Sequence, residues 1–399
     1  HIQPSDLRAI TQLLTDATLG ITDLVEEVHY GIVYVPGQPN LPEKGRTRGI
    51  PGLVYKSIRG VTSVVGGGVD ALWGQVVPRL HEPPSSAKRE ALLAAINGVW
   101  GDYLVDSGNA LTIPMAFRRD GQALTLEKQA LQTAVPHPTA KLAILVHGLC
   151  MNDRQWNRQG YNHGDILAAD LGYTPVYLHY NSGRHISVNG REFAALLETL
   201  VQQWPEPVAE LIILGHSMGG LVARSAIHYA TEGNLTWPRY LHKLFTLGTP
   251  HHGAPLERGG HWVDVLLGSI PHTAPFARLG KRRSAGITDL RYGTLLDEDW
   301  HDTDYFAYTP DTRQRAPLPP DVRCFAVAAT LGKEQGDLKE RLLGDGVVPL
   351  SSALGRHADG ERSLDFPAAQ QWIGYEMGHL DLLGRPEVMA QIKLWLLED

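Results

Sequence analysis

Three features are scarce in this sequence of 399 residues: cysteine, runs of positive charge and long apolar segments. Only Cys150 and Cys324 are present, far apart in the chain, so no disulfide framework is expected and a reducing compartment is favoured. No basic run stands out to neutralise phosphates, and the formal net charge of −7 argues against a nucleic-acid partner. No uninterrupted apolar segment is long enough to cross a bilayer.

What is present is the composition of an ordinary globular protein, with 43% hydrophobic and 20% charged residues. A chain of this length can bury a large core, as two domains or as one domain with insertions. The sequence begins with His1 rather than Met, so we expect the natural start to lie upstream, and a cleaved signal peptide is compatible with the sequence.

The most informative stretch is residues 211–222. It begins with an apolar run that suits a strand buried on both faces, and it ends with apolar residues at helical spacing. Between them, residues 215–219 read Gly-His-Ser-Met-Gly and fit the G-x-S-x-G pattern, in which a serine occupies a strained strand-to-helix turn. This context predicts that Ser217 is a nucleophile whose hydroxyl stands above the sheet. The alternative is a serine in an ordinary glycine-rich turn.

Strands and helical patterns alternate along most of the chain. A hairpin is predicted within residues 111–126, about Asp120-Gly121, and Pro386 is expected in the first turn of a terminal helix. Helical spacing follows one of the strands at residues 193–201. Buried strands are predicted at residues 142–146, 175–179, 211–214, 241–247 and 322–328. The alternation predicts an α/β fold with a doubly wound, mostly parallel sheet and helices on both of its faces.

Two regions fall outside this alternation. Residues 1–85 predict an N-terminal helical extension, closed by a linker at residues 83–86, with the catalytic domain following over residues 86–399. Within the extension, residues 49–80 form an apolar, glycine-studded stretch that predicts either a helix packed on the main domain or a membrane-surface or substrate-cap helix. Residues 253–320 are rich in Gly, Pro, His, Arg and Asp, and predict either a lid-like insertion or a packed subdomain.

A nucleophilic serine needs a base, and the base needs a carboxylate to orient it. On this kind of scaffold the order along the chain is serine, acid, histidine. Asp345, in a glycine-flanked turn, is the candidate acid, although an Asp-Gly aspartate can also serve only its own turn. His379 is the candidate base. His216 is a poor base because it adjoins Ser217, and Asp381 is a rival acid that would break the expected order.

Ester chemistry also requires N–H donors for the oxyanion that forms on the carbonyl oxygen. Residues 146–149 end an early strand, where the second donor is expected. We therefore assign the predicted oxyanion hole to the N–H groups of Leu149 and Met218. The alternative is that the His-Gly pair in this segment forms only a turn.

Five segments together resemble the alpha/beta-hydrolase superfamily: residues 146–149, 215–220, 246–253, 345–348 and 378–381. The resemblance covers about residues 110–399 and is nearest to bacterial lipases and esterases, with some likeness to GPI-inositol-deacylase-type proteins. It implies a triad made of the elbow serine, the aspartate of the Asp-Gly-Val segment and the histidine of the Gly-His-Leu segment.

Some bacterial lipases hold a structural calcium, with one ligand at the position that matches Asp381. No second aspartate in this sequence pairs with it, so neither a metal nor an organic cofactor is expected. The paired cysteines of secreted lipases are also absent. The scarcity of cysteine predicts a cytoplasmic protein, and the resemblance to bacterial lipases implies a bacterial one; membrane association and secretion stay open.

These features predict a carboxylic-ester hydrolase that acts on small-molecule or lipid esters through an acyl-enzyme intermediate. Two alternatives stay open. An acyltransferase would use the same triad, with an alcohol replacing water in the second step. A non-enzymatic membrane-docking or scaffold protein would use residues 49–80 for peripheral membrane contact.

Overall fold

The computed structural model describes residues 4–33, 46–47, 49–76, 86–254, 284–300, 313–334, 337 and 344–398. The chain forms two compact units, one made of residues 1–89 and 104–112 and the other of residues 90–103 and 113–399. Most of the predicted lid-like insertion, at residues 255–283 and 301–312, lies outside the described residues. The predicted linker lies there too, apart from Ser86.

The smaller unit contains two long helices, α1 (Pro4–Val33) and α2 (Gly49–Val76). Helix α3 (Ala87–Asp106) contributes residues to both units. It runs through a kink at Trp100, which has φ −131° and ψ 21°. No helix among the described residues is both long enough and apolar enough to cross a bilayer.

The larger unit is built on an eight-stranded sheet with the spatial order β10-β9-β8-β7-β3-β6-β1-β2. The strands from β10 to β6 in that order are parallel, and β1 and β2 add an antiparallel edge. In chain order these strands are β1 (Ala116–Arg119), β2 (Gln122–Ala123), β3 (Lys141–Val146), β6 (Thr174–His179), β7 (Glu210–His216), β8 (Leu241–Leu247), β9 (Arg323–Thr330) and β10 (Gln371–Tyr375). A separate hairpin joins β4 (Asn157–Arg158) to β5 (Tyr161–Asn162).

Most helices of this unit connect its strands, and the last helix forms its carboxyl end. They are α4 (Lys128–Ala134), α5 (His163–Leu171), α6 (Ile186–Gln203), α7 (Met218–Glu232), α8 (Ala285–Tyr292), α9 (Leu350–Ala353) and α10 (Pro386–Leu397). Short 3-10 helices lie at Asp153–Trp156, Trp237–Tyr240, Asp297–Asp299, Gly360–Arg362, Ala368–Gln370 and His379–Leu383.

Both faces of the sheet are apolar. Successive residues of a strand point to opposite faces, so an uninterrupted apolar strand places apolar side chains on both. Ile144 and Ile213 belong to the core on the face that α6 and α7 cover, whereas Leu145 and Ile212 belong to the core that α5 and α10 cover. All four are fully buried. The predicted doubly wound, mostly parallel sheet with helices on both faces is confirmed.

The predicted buried strands are confirmed as β3, β6, β7, β8 and β9. The hairpin is confirmed about Asp120 and Gly121, whose φ angles of 51° and 75° suit a tight two-residue turn, but its strands are shorter than predicted. Pro386 is the first residue of α10, as expected. Strand β10 was not predicted.

Candidate active site

Ser217 is the single residue between strand β7 and helix α7. Its φ of 54° and ψ of −124° place a non-glycine residue in the left-handed half of the conformational map, which costs on the order of 1–3 kcal/mol. Its N–H donates to the carbonyl of Leu247, the last residue of β8, at 2.8 Å. The serine is therefore held in a strained turn at the carboxyl edge of the parallel sheet.

The glycines around Ser217 are required by close backbone packing. A Cβ on Gly219 would lie 2.3 Å from the carbonyl oxygen of Val146, at the end of β3. A Cβ on Gly215 would lie 2.6 Å from the Cα of Gly220. Any side chain at these positions would push α7 away from the strands on which it begins.

His379 and Asp345 are joined by a hydrogen bond of 2.7 Å between Nδ1 and Oδ2. Their side chains are 0% and 1% exposed. The other carboxylate oxygen of Asp345 accepts the N–H groups of Val347 and Val348, at 2.9 and 2.7 Å. Both oxygens are therefore engaged, and the aspartate fixes the imidazole with its proton on Nδ1.

The second ring nitrogen of His379, Nε2, is buried and has no hydrogen-bond partner among the described residues. The ring lies against Gly248, directly after β8, where a Cβ would come within 3.1 Å of Cε1. The N–H of Ser217 donates to Leu247, the residue before Gly248. The backbone of Ser217 and the ring of His379 therefore both lie at the carboxyl ends of the neighbouring strands β7 and β8. An imidazole nitrogen without a partner at this edge can accept a proton.

Asp381, the rival acid, has a different task. Its Oδ2 accepts the N–H of Gly378 at 2.8 Å, which caps the 3-10 turn that carries His379. The carboxylate that His379 contacts is that of Asp345. Among the described residues, no group of three or more His, Cys, Asp or Glu side chains is arranged to hold a metal ion.

His216 has a role that the sequence did not reveal. Its Nε2 lies 3.2 Å from the backbone carbonyl of His379, and the two ring centroids are 4.8 Å apart. Burial and the neighbouring His379 hold the pKa of His216 well below its usual range, so the ring is neutral and can donate to that carbonyl. No motif marks this contact, because the partners lie 163 residues apart.

The predicted oxyanion donors lie on two segments that meet at Ser217. A Cβ on Gly148 would lie 3.0 Å from the Cβ of Ser217, so the turn before Leu149 packs directly on the serine. Leu149 and Met218 are fully buried, and neither backbone N–H donates a hydrogen bond within the described parts of the chain. Met218 opens α7, where first-turn N–H groups have no partner inside the helix.

His147 and Tyr180 form an aromatic pair that stabilises the turn before Leu149. The rings of His147 and Tyr180 stack at 4.3 Å, and the Tyr180 hydroxyl donates to the carbonyl of His147 at 2.7 Å. Burial lowers the pKa of His147 to about 4, so the ring stays neutral. The stacking and the hydrogen bond together hold the backbone that precedes Leu149, the predicted oxyanion donor.

Cys150 belongs to the same turn, with a φ of 59°, and its N–H donates to the hydroxyl of Ser182 at 3.0 Å. Burial raises the pKa of the Cys150 and Cys324 thiols to about 12. The thiols are therefore protonated near neutral pH and are poor nucleophiles.

The fold class follows from three features. The sheet has six parallel strands, helices cover both of its faces, and Ser217 lies in a strained turn at the carboxyl edge of the parallel strands. The chain has an alpha/beta-hydrolase fold. Residues 138–307 of the chain match the family model described as the PGAP1-like alpha/beta domain. The resemblance to the alpha/beta-hydrolase superfamily is thus confirmed. No curated protein sequence matches the chain.

Solved structures that resemble this chain include a Bacillus licheniformis lipase in its mature form, with 20% identity, a TM-score of 0.42 and coverage of 66% of this chain and 95% of the lipase. A Pyrococcus furiosus esterase has 14% identity and a TM-score of 0.37, covering 65% of this chain and 82% of the esterase. A thioesterase of the prodiginine pathway of Streptomyces coelicolor has 14% identity and a TM-score of 0.32, covering 69% and 96%.

Proposed function

We propose that this alpha/beta hydrolase cleaves carboxylic esters through an acyl-enzyme formed on Ser217. The observation that carries the proposal is the asymmetry of the His379 ring. Its Nδ1 is bonded to Asp345, and its buried Nε2 has no partner within the described residues. A general base needs one nitrogen oriented by a carboxylate and the other available for the nucleophile's proton.

In the first half-reaction, Nε2 of His379 takes the proton of the Ser217 hydroxyl as the oxygen attacks the ester carbonyl carbon. The carbonyl oxygen becomes an oxyanion, which accepts hydrogen bonds from the N–H groups of Leu149 and Met218. Asp345 stabilises the imidazolium that forms. Collapse of the tetrahedral intermediate breaks the bond to the alcohol oxygen, which receives the proton from Nε2, and the acyl group stays on Ser217.

In the second half-reaction, water gives a proton to Nε2 of His379 and attacks the acyl carbonyl. The same two N–H groups hold the second oxyanion, and the proton returns to the oxygen of Ser217 as the carboxylic acid leaves. Loss of a single oxyanion donor costs on the order of 2.7–4 kcal/mol of transition-state stabilisation. The steps are complete with the residues named, and no cofactor takes part in them.

The test is hydrolysis of p-nitrophenyl esters from short to long acyl chains by the wild-type protein and by Ser217→Ala. The matched control is Ser225→Ala, which removes another buried hydroxyl of α7, bonded to the carbonyl of Leu295. We expect Ser217→Ala to lose on the order of 10³-fold or more of kcat, and Ser225→Ala to retain activity. Asp345→Asn should lower kcat about 10⁴-fold, because the imidazole then takes the wrong tautomer.

Full activity of a folded Ser217→Ala protein would overturn the mechanism. A wild-type protein inert toward every acyl length would overturn the proposed ester substrate. The acyl-length profile separates an esterase from a lipase. If an added alcohol appears as its ester among the products, the second step is acyl transfer rather than hydrolysis.

A further inference from the structure

A cavity of about 310 Å³ lies beside helix α7 in the larger unit, at the lower end of the volume range of small-molecule sites. Its walls come mainly from α7, residues 251–252, residues 313–317 and residues 361–365. The residues of the predicted triad and oxyanion hole do not line it. We call it the arginine cavity, after the four arginines in its walls: Arg224, Arg313, Arg315 and Arg362.

Arg224 is the most deeply buried of these arginines, with 6% of its surface exposed. Its Nη1 donates to Nδ1 of His251 at 3.1 Å, and its Nη2 donates to the carbonyl of Ala316. Its Nε is buried and has no hydrogen-bond partner among the described residues. Within the same part of the chain, no carboxylate forms an ion pair with Arg224.

The carboxylates that line the arginine cavity are engaged elsewhere or face solvent. The carboxylate of Asp299 accepts three backbone N–H groups, at 2.9, 3.0 and 2.7 Å. Glu361 is exposed and lies 2.8 Å from Arg315, with which it forms an ion pair. Asp365 is exposed. None of the three is paired with Arg224.

His251 does not supply a negative charge either. Burial and the adjacent Arg224 hold the pKa of His251 well below its usual range, so its ring is neutral. Its Nδ1 accepts from Arg224, and its Nε2 lies 3.3 Å from the hydroxyl oxygen of Thr246. Burial and the charge of Arg313 lower the pKa of Arg224 to about 10, which leaves the guanidinium charged near neutral pH. Arg224 is therefore a buried cation that no carboxylate of the described residues balances.

A second cavity, of about 470 Å³, adjoins the first, since His252 lines both. Arg291 and Arg356 line this second cavity, and its described lining residues include no carboxylate. The two cavities thus form a predominantly basic region in a chain whose formal net charge is −7. A concave surface with an excess of one charge attracts ligands of the opposite charge.

Buried charges in proteins are normally paired, because an isolated ion loses its hydration. We propose that the arginine cavity binds a small anion that carries a phosphate group, which pairs with Arg224. Arginine presents several N–H donors in a rigid fork that matches phosphate oxygens. The oxygens of a phosphate point in several directions, so they can accept from Arg224 on α7 and from Arg313 on a separate segment. A carboxylate has two oxygens in one plane, which suit a single guanidinium.

The experiment is isothermal titration calorimetry of the full-length chain with inorganic phosphate, glycerol 3-phosphate and acetate, at one ionic strength set with sodium chloride. The test variants are Arg224→Met and Arg313→Met, which remove a charge and keep an unbranched side chain. The second variant changes a half-buried residue, so it still tests the cavity if Arg224→Met does not fold. The control is Arg239→Met, which removes the same charge from an exposed arginine outside the cavity, where it contacts Tyr240.

We expect the wild type and Arg239→Met to bind phosphate saturably and with equal affinity. Arg224→Met should bind at least tenfold more weakly, Arg313→Met should also lose affinity, and acetate should bind the wild type at least tenfold more weakly than phosphate. Tighter binding of glycerol 3-phosphate would identify a phosphomonoester as the ligand, and tighter binding of inorganic phosphate would identify the free ion.

No saturable binding of either phosphate compound to the wild type would overturn the proposal. Wild-type affinity in the folded arginine variants of the cavity would place the bound anion elsewhere, and equal affinity for acetate would show that the site does not select phosphate; either result would also overturn it. Ser217→Ala should bind phosphate as the wild type does. The outcome is therefore independent of whether the chain hydrolyses esters.

Discussion

At the scale of single residues, the candidate site is fixed mainly by backbone contacts. The N–H of Ser217 is bonded to β8, and the N–H of His379 donates to the carbonyl of Asp345 at 3.1 Å. The carboxylate of Asp345 in turn takes two N–H groups from its own turn. Because rigid backbone holds each member, little side-chain ordering remains to be done when a substrate binds.

His216 provides a residue-scale prediction. His216→Phe keeps an aromatic ring of similar size but removes the contact between Nε2 and the carbonyl of His379. We expect kcat on a short-chain ester to fall by on the order of tenfold while KM stays unchanged, because a displaced base slows proton transfer without altering binding. Steady-state kinetics over a range of substrate concentrations measures both constants.

The matched variant for that experiment is His216→Gln, whose amide can still donate to the carbonyl. It should recover part of the lost kcat if the hydrogen bond is what matters. A purely structural role for His216 predicts instead that both variants lose thermal stability and that their kcat values stay near wild type. That pattern would contradict the positioning role.

The sequence could reveal Ser217, Asp345 and His379 because each lies in a short local pattern. It could not reveal that His216 contacts the carbonyl of His379, or that Tyr180 donates to the carbonyl of His147. Those contacts join residues that are 163 and 33 positions apart, and only the folded sheet brings them together. Short local patterns therefore mark the three residues of the proposed triad, whereas the residues that position them are recognised only in the folded structure.

At the scale of elements, the predictable parts are those whose pattern reflects burial on both faces. Strands β3 and β7 read as apolar runs because helices cover both sides of the sheet. Strand β10 was missed because it is a half-buried edge strand that reads Gln-Trp-Ile-Gly-Tyr and has no run of that kind. The kink at Trp100 inside α3 was not predicted either: Gly98 and Gly101 flank it, but no proline lies near it.

The junction between β3 and α7 provides an element-scale prediction. Gly219→Ala places a Cβ 2.3 Å from the carbonyl oxygen of Val146, so the start of α7 must shift away from the sheet. We expect the free energy of unfolding to fall by about 1–3 kcal/mol, the usual cost of overpacking. Gly360→Ala is the control, because a Cβ there has no heavy atom within 4 Å.

Urea denaturation, monitored by tryptophan fluorescence, measures the free energy of unfolding of Gly219→Ala and of Gly360→Ala. The control should stay within about 0.5 kcal/mol of the wild type. Activity gives a second readout, since a shift at Gly219 also moves the neighbouring N–H of Met218. If Gly219→Ala were as stable and as active as Gly360→Ala, the close approach of α7 to β3 would not be essential.

At the scale of the whole molecule, the larger unit buries several neutral imidazoles within its core. Burial lowers the pKa of His147 and of His163 to about 4, although each ring is bonded to a backbone carbonyl. In the unfolded chain a histidine titrates near 6.5. Between these values the unfolded state binds more protons than the folded state, so acid favours unfolding.

The stability that each buried histidine contributes is present in full above about pH 6.5 and is lost as the pH falls toward about 4. His163→Gln keeps a donor for the carbonyl of Leu382, which Nε2 of the wild-type ring contacts at 2.8 Å, and removes the titration. From pH 7 to pH 5, the wild type should lose about 2 kcal/mol more unfolding free energy than His163→Gln. Urea denaturation at the two pH values measures this difference, and equal losses would mean that His163 is protonated within the folded core.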